Sequence, residues 1–74
     1  MLLNSKQLGK IISTCRKKLG ATQRDLALTS GTGLRFIIEL EKGKPTCQIE
    51  KVLTVIQTLG IKIHFTMPTE CQGE

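Results

Sequence analysis

The chain has 74 residues, 39% of them apolar, with eleven Lys plus Arg against six Asp plus Glu and neither Trp nor Tyr. A chain this short buries only about 60% of the surface it exposes when unfolded, which argues against a large catalytic cleft and makes a partner valuable. Regular apolar spacing argues against disorder, and no apolar run reaches the roughly 18 residues that a membrane span requires.

The opening MLLNSKQLGK lacks the basic start, apolar stretch and small-residue cleavage site of a secretory signal. Cys15, Cys47 and Cys71 are odd in number and lie 32 and 24 residues apart, and His64 is the one histidine. The expectation is a cytoplasmic protein whose thiols stay reduced, two of them packing as small apolar residues, with no metal site and no cofactor. Charge is uneven. Residues 1–45 hold nine of the eleven basic side chains and three of the six acidic ones, whereas residues 46–74 hold Lys51 and Lys62 against Glu50, Glu70 and Glu74. The front of the molecule suits a polyanion, and charge alone leaves DNA, RNA and anionic lipid open.

Leu8, Ile11, Ile12, Cys15 and Leu19 recur at helical spacing and predict a first helix over 5–19, capped by Asn4 or Ser5 and followed by Gly20. Arg16, Lys17 and Lys18 fall in its last turn, where cations suit the helix dipole. A short second helix over 22–30 opens on Thr22, with Asp25 placed to complete a capping box, buries Leu26 and Ala27, and stops at Gly31. A third helix, LRFIIELEK, turns Ile37 and Leu40 inward and ends at Gly43-Lys44-Pro45. Two short helices joined by a tight Gly-containing turn make a helix-turn-helix.

Thr46 is the expected cap of a fourth helix carrying Ile49, Val52, Leu53, Ile56 and Leu59, with Gly60 after it. The period then changes from 3.6 to 2. Ile61, Ile63, Phe65 and Met67 alternate with Lys62, His64 and Thr66, the pattern of a half-buried strand ended by Pro68. The reading is a single domain over 1–74: a helix-turn-helix core at 5–60, a strand at 61–67 and a flexible tail at 68–74. One strand cannot satisfy its own ladder groups. The simplest partner is the same segment of a second copy, paired antiparallel across a two-fold axis, with Ile61, Ile63 and Phe65 as dimerisation residues over the fourth helix. The alternative is an extended tail packed on its own domain.

Residues 16–27, RKKLGATQRDLA, and 31–46, GTGLRFIIELEKGKPT, resemble the Cro/C1-type helix-turn-helix regulators. The resemblance runs from Leu8 to Leu59 and is greatest to HipB-like antitoxin repressors, through the wording G-L-R-F-I-x-x-L-E-x-G-K-P-T. It implies a small all-α, lambda-repressor-like domain of four helices with one C-terminal strand pairing across a homodimer. It also implies double-stranded DNA with a palindromic operator as ligand, and a HipA-like serine/threonine kinase toxin as a partner in a shared operon.

The resemblance makes the third helix the recognition helix and puts base-facing positions at Gly33, Leu34 and Arg35, with Ile38 and Glu39 a turn on. Arg35 can bond guanine N7 and O6, or contact a phosphate, or be a solvated charge; Leu34 can meet a thymine methyl. Glu39 can accept from cytosine N4, screen its neighbours or pair with Lys42. Thr22, Gln23 and Arg24, together with Lys42, Lys44 and the Gly43 backbone, are the expected phosphate contacts, and Thr22 is also a cap. In the related repressors the positions of Arg16 and Glu41 form an ion pair that orients the recognition helix. Phe36 and Ile38 are bulkier than the family pattern, and pack inward, meet a neighbouring subunit or join a DNA or protein contact.

The functional reading is a homodimeric transcriptional repressor, the antitoxin and autorepressor of a HipA-like kinase operon. The alternatives are a module whose main role is to bind the toxin, or a prophage-type repressor with no toxin. Enzymatic chemistry finds no support in paired acids, a nucleophile triad or a phosphate loop. RNA binding lacks the usual exposed aromatics.

Overall fold

The computed structural model describes residues 3–68. Asn4 starts the first helix. Its side chain accepts from the Gln7 backbone N–H at 2.9 Å while its own N–H donates to Gln7 Oε1 at 3.3 Å, a reciprocal capping box at the head of α1 (Ser5–Lys18). Thr22 and Asp25 repeat the device before α2 (Gln23–Ser30), at 3.0 and 2.9 Å. α3 (Leu34–Lys42) is entered through Gly33 at φ +94° and left through Gly43 at φ +90°, backbone conformations that L side chains rarely adopt.

α4 (Ile49–Thr58) begins later than the sequence pattern suggests. Its N-cap position is Gln48, and Thr46 lies in the preceding turn, so the expected Thr46 cap is not formed. Pro45 and Thr46 form a turn, and Cys47, half-buried, packs against the core before the helix starts.

α1 and α2 both pack on α3, and α2 also packs on α4. Ile12, Ile37 and Val55, from α1, α3 and α4, are completely buried, with Leu26, Ala27, Leu40, Val52 and Ile56 around them. Two helices are rotated from the face that hydropathy suggests. In α1 the buried positions are Gly9, Ile12 and Arg16, while Ile11 is exposed and Leu19 is 65% exposed. The reason is that a glycine and an arginine occupy core-facing positions. In α4 the buried face includes Val55, while Ile49 is 64% exposed and Leu53 also remains at the surface.

Gly9 sits where α1 crosses the end of α3. A Cβ there would lie 2.6 Å from the Leu40 carbonyl oxygen and 2.7 Å from that of Glu41. The two backbones touch only because this residue has no side chain.

Residues 61–68 follow α4 without regular secondary structure and form no ladder with any other described residue. Ile61 packs against the core, but Phe65 is 87% exposed and Ile63 and Met67 are also largely open. Within one copy, therefore, Ile63 and Phe65 do not lie buried over the fourth helix as the sequence reading expects, because the domain supplies no surface that closes over them. Cys15 and Cys47 are half-buried free thiols. The expected tail beyond Pro68, Cys71 included, lies outside the described residues. Among the described residues no helix is long and apolar enough to cross a membrane.

Candidate nucleic-acid interface

The orientation of α3 is set from its C-terminal end by one nearly buried ion pair. Arg16 Nε donates to Glu41 Oε2 at 2.7 Å and a second guanidinium nitrogen donates to Oε1 at 3.0 Å, a bidentate fork. The third arm of the guanidinium donates to the Ala21 carbonyl at 2.9 Å, and Gln23 Nε2 donates to Glu41 Oε1 at 3.0 Å. Arg16 and Glu41 together thus tie α1, the α1–α2 turn, the start of α2 and the end of α3. Burial pushes the Glu41 carboxyl up, but the hydrogen bonds from Arg16 and Gln23 and the Arg16 charge outweigh it and hold the group below its ordinary range. The hydrogen bond from Arg16 to Glu41 raises the pKa of the guanidinium despite its own burial. No buried side-chain polar atom among the described residues lacks a partner.

With its end so held, α3 turns the face that carries Leu34, Arg35, Ile38 and Glu39 outward, away from the buried Ile37 and Leu40. Leu34 is the hinge of this surface. On one side it shares an open hollow of about 340 Å³ with Arg24, Ala27 and Leu28 of α2 and with Gly31 and Gly33. On the other it shares one of about 410 Å³ with Arg35, Ile38, Glu39 and Lys42. The Arg35 side chain is 90% exposed. Lys44 reaches the same region: its Nζ lies 3.2 Å from Glu39 Oε1, while Arg35 Nε lies 3.6 Å from Glu39 Oε2. The hydrogen bond from Lys44 is the main cause of a lowered Glu39 carboxyl pKa. Glu39 is therefore engaged by Lys44 and Arg35 rather than by Lys42, so it screens its cationic neighbours.

The chain is 49% identical over 63 residues to the uncharacterized helix-turn-helix-type transcriptional regulator y4mF of Sinorhizobium fredii (strain NBRC 101917 / NGR234), an overlap that covers 85% of this chain and 83% of that protein. It belongs to the helix-turn-helix-type transcriptional regulators. No family model matches the chain.

In this helix-turn-helix regulator the motif comprises α2, the Gly31–Gly33 turn and α3, and the structure gathers most of the residues singled out above on its outer side. Arg24, Gly33, Leu34, Arg35, Ile38, Glu39 and Lys42 line the two hollows around Leu34, and Lys44 joins Arg35 and Glu39 in a third of about 490 Å³. Thr22 and Gln23 stand apart from this group. Thr22 accepts from the Asp25 N–H as the α2 cap, and the Gln23 side chain is turned to Glu41. The hydrogen bonds between Thr22 and Asp25 hold the Asp25 carboxyl below its ordinary range.

Two surface residues escape sequence reasoning. Leu28 is 78% exposed beside Arg24 and Leu34. Lys51 of α4 lines the third hollow with Arg35 and Lys44, and its Nζ stands 5.7 Å from the centre of the Phe36 ring. Phe36 is thus accounted for: it packs partly on the core and presents a ring face to a lysine. No periodicity links positions 36 and 51; only the fold, which brings Lys51 of α4 to the Phe36 ring, does.

Proposed function

We propose that this regulator is a repressor that binds double-stranded DNA sequence-specifically as a homodimer, each subunit laying α3 in the major groove of one half-site. The observation that carries this reading is the cationic surface of α2 and α3. Arg24, Arg35, Lys42 and Lys44 surround the outer face of α3, and the one carboxylate lining these hollows, Glu39, is engaged by Lys44 and Arg35. Arg24, Lys42 and Lys44 supply phosphate contacts and register, and Lys51, set on Phe36, adds another; Thr22 and Gln23 border the phosphate-facing end of α2 while they secure the helix. Gly33 brings the α3 backbone close to the groove. Arg35 reads guanine, with Glu39 restraining its fork.

The homodimer is supported by the apolar residues left open in one copy. Leu53 and Ile63 share a hollow of about 390 Å³ with Ile56 and Ile61, and Phe65 and Met67 continue the exposed apolar side of residues 61–67. Pairing of this segment with its symmetry mate satisfies the ladder and covers Ile63 and Phe65 together. Two recognition helices then fall about 34–36 Å apart, which calls for a palindromic site. The regulated operon is read as that of a HipA-like kinase toxin, with this chain as cytoplasmic antitoxin and autorepressor; the motif wording at 33–46 supports it.

Selection from a random duplex pool, followed by gel shift, tests the reading. Recovery of a palindrome, bound with an affinity that falls steeply with salt, is the expected result. Failure to enrich any duplex sinks it. Co-purification with a HipA-like kinase encoded in the same operon tests the antitoxin role, and a kinase-free operon with intact operator binding leaves the prophage-type repressor instead.

A further inference from the structure

We propose that Leu28, Leu34 and Ile38 form a strip that reads the 5-methyl groups of thymines, so that each half-site carries thymines in the major groove at defined positions. The inference rests on the DNA-binding reading above and names what that surface recognises. Leu34 belongs to both hollows of the α2–α3 surface, with Leu28 beside it in one and Ile38, one helical turn on, in the other. Leu28 is 78% exposed, and Leu34 and Ile38 are half-buried at the foot of the strip. Three branched apolar side chains at the centre of a cationic surface offer bases no hydrogen bond. The one apolar group that a B-form duplex presents in the major groove is the thymine methyl.

Charge selects this occupant over an apolar protein surface. Arg24 borders the strip on the α2 side, and Arg35 and Lys42 border it on the α3 side. Glu39, the only acid lining either hollow, is already engaged by Lys44 and Arg35. A greasy partner would have to cover those cations without phosphates to meet them. A second open apolar surface, at Leu53 and Ile63, has Lys62 and His64 on its border and no α3 residue in its lining.

The test uses the duplex that the wild-type protein selects from a random pool, with deoxyuridine put in place of thymidine one position at a time. Uracil keeps every hydrogen-bonding edge and removes only the methyl. Burial of one such group predicts binding about fourfold weaker per methyl lost. At the affected positions Leu28→Ala, Leu34→Ala or Ile38→Ala should bind the thymine and uracil duplexes alike, and Leu28→Ala alters only an exposed side chain, so its fold is secure. Unchanged affinity at every uracil, with selectivity over random duplex intact, overturns the inference and leaves the DNA reading standing. A uracil penalty that survives in all three variants overturns the assignment to this strip. A wild type without selectivity for any duplex overturns both.

Discussion

Gly9 holds its place through what it lacks. Its missing side chain lets α1 meet the Leu40 and Glu41 carbonyls, so Gly9→Ala must push two backbones apart. Overpacking of this kind costs about 1–3 kcal/mol, and each kcal/mol lowers the Tm of a domain this size by roughly 4–8 °C. Thermal unfolding followed by circular dichroism checks it, and an unchanged Tm refutes the close contact. On the outer surface Arg35 and Lys44 should separate by readout. Arg35→Ala should relax preference at one base pair, by about 1–3 kcal/mol. Lys44→Ala should weaken all duplexes alike and reduce the salt slope by about one. Competition binding against a set of single-base variants distinguishes the two. The Thr22–Asp25 box was readable in advance because both partners lie within one turn of chain. Gly9 was not, because its purpose depends on a helix about thirty positions away.

Among the helices, α3 owes its placement to Glu41 and Arg16. Removing either partner leaves a nearly buried charge uncompensated, so Glu41→Ala should cost about 3–5 kcal/mol. A double replacement by apolar residues, Arg16→Met with Glu41→Leu, should recover much of that loss in urea unfolding while the position of α3, and hence affinity for a selected duplex, suffers. The pair also gives a pH signature. The Glu41 carboxyl is held below its ordinary 4.5 in the fold, so its contribution is complete above that pH and lost as the pH falls through the folded value. Stability measured from pH 6 down to pH 2 should therefore converge between wild type and Glu41→Gln at the acid end; parallel curves throughout would contradict the role. Both residues are visible in the sequence, and the resemblance to related repressors suggested their pairing. Position in the helix alone put Arg16 among the cations that suit the dipole of the last turn, since no pattern scale credits a charge with a core position.

For the whole molecule, a core centred on Ile12, Ile37 and Val55 is small, and apolar side chains at 53, 63, 65 and 67 are left open. The proposed second copy covers them. Sedimentation at micromolar concentration should show a dimer, and Phe65→Glu with Ile63→Glu should yield a helical monomer that binds a palindrome far more weakly than the wild type. A monomeric wild type would leave residues 61–67 without their ladder partner and end the two-half-site reading.

Number, order and approximate limits of the helices followed from the sequence itself. Caps, glycine stops and a 3.6-residue period are local properties, set by neighbours within four or five positions. The division of charge between the front and the back of the chain was equally plain. Tertiary structure alone decided which side of each amphipathic helix turns inward: Val55 rather than Ile49, and Gly9 and Arg16 rather than Ile11 and Leu19. It alone set Lys51 over Phe36, turned Gln23 toward Glu41 and brought Leu28 beside Leu34. Those relations join residues distant in sequence or in separate helices, and they exist only once packing has chosen the angle and rotation at which the helices meet.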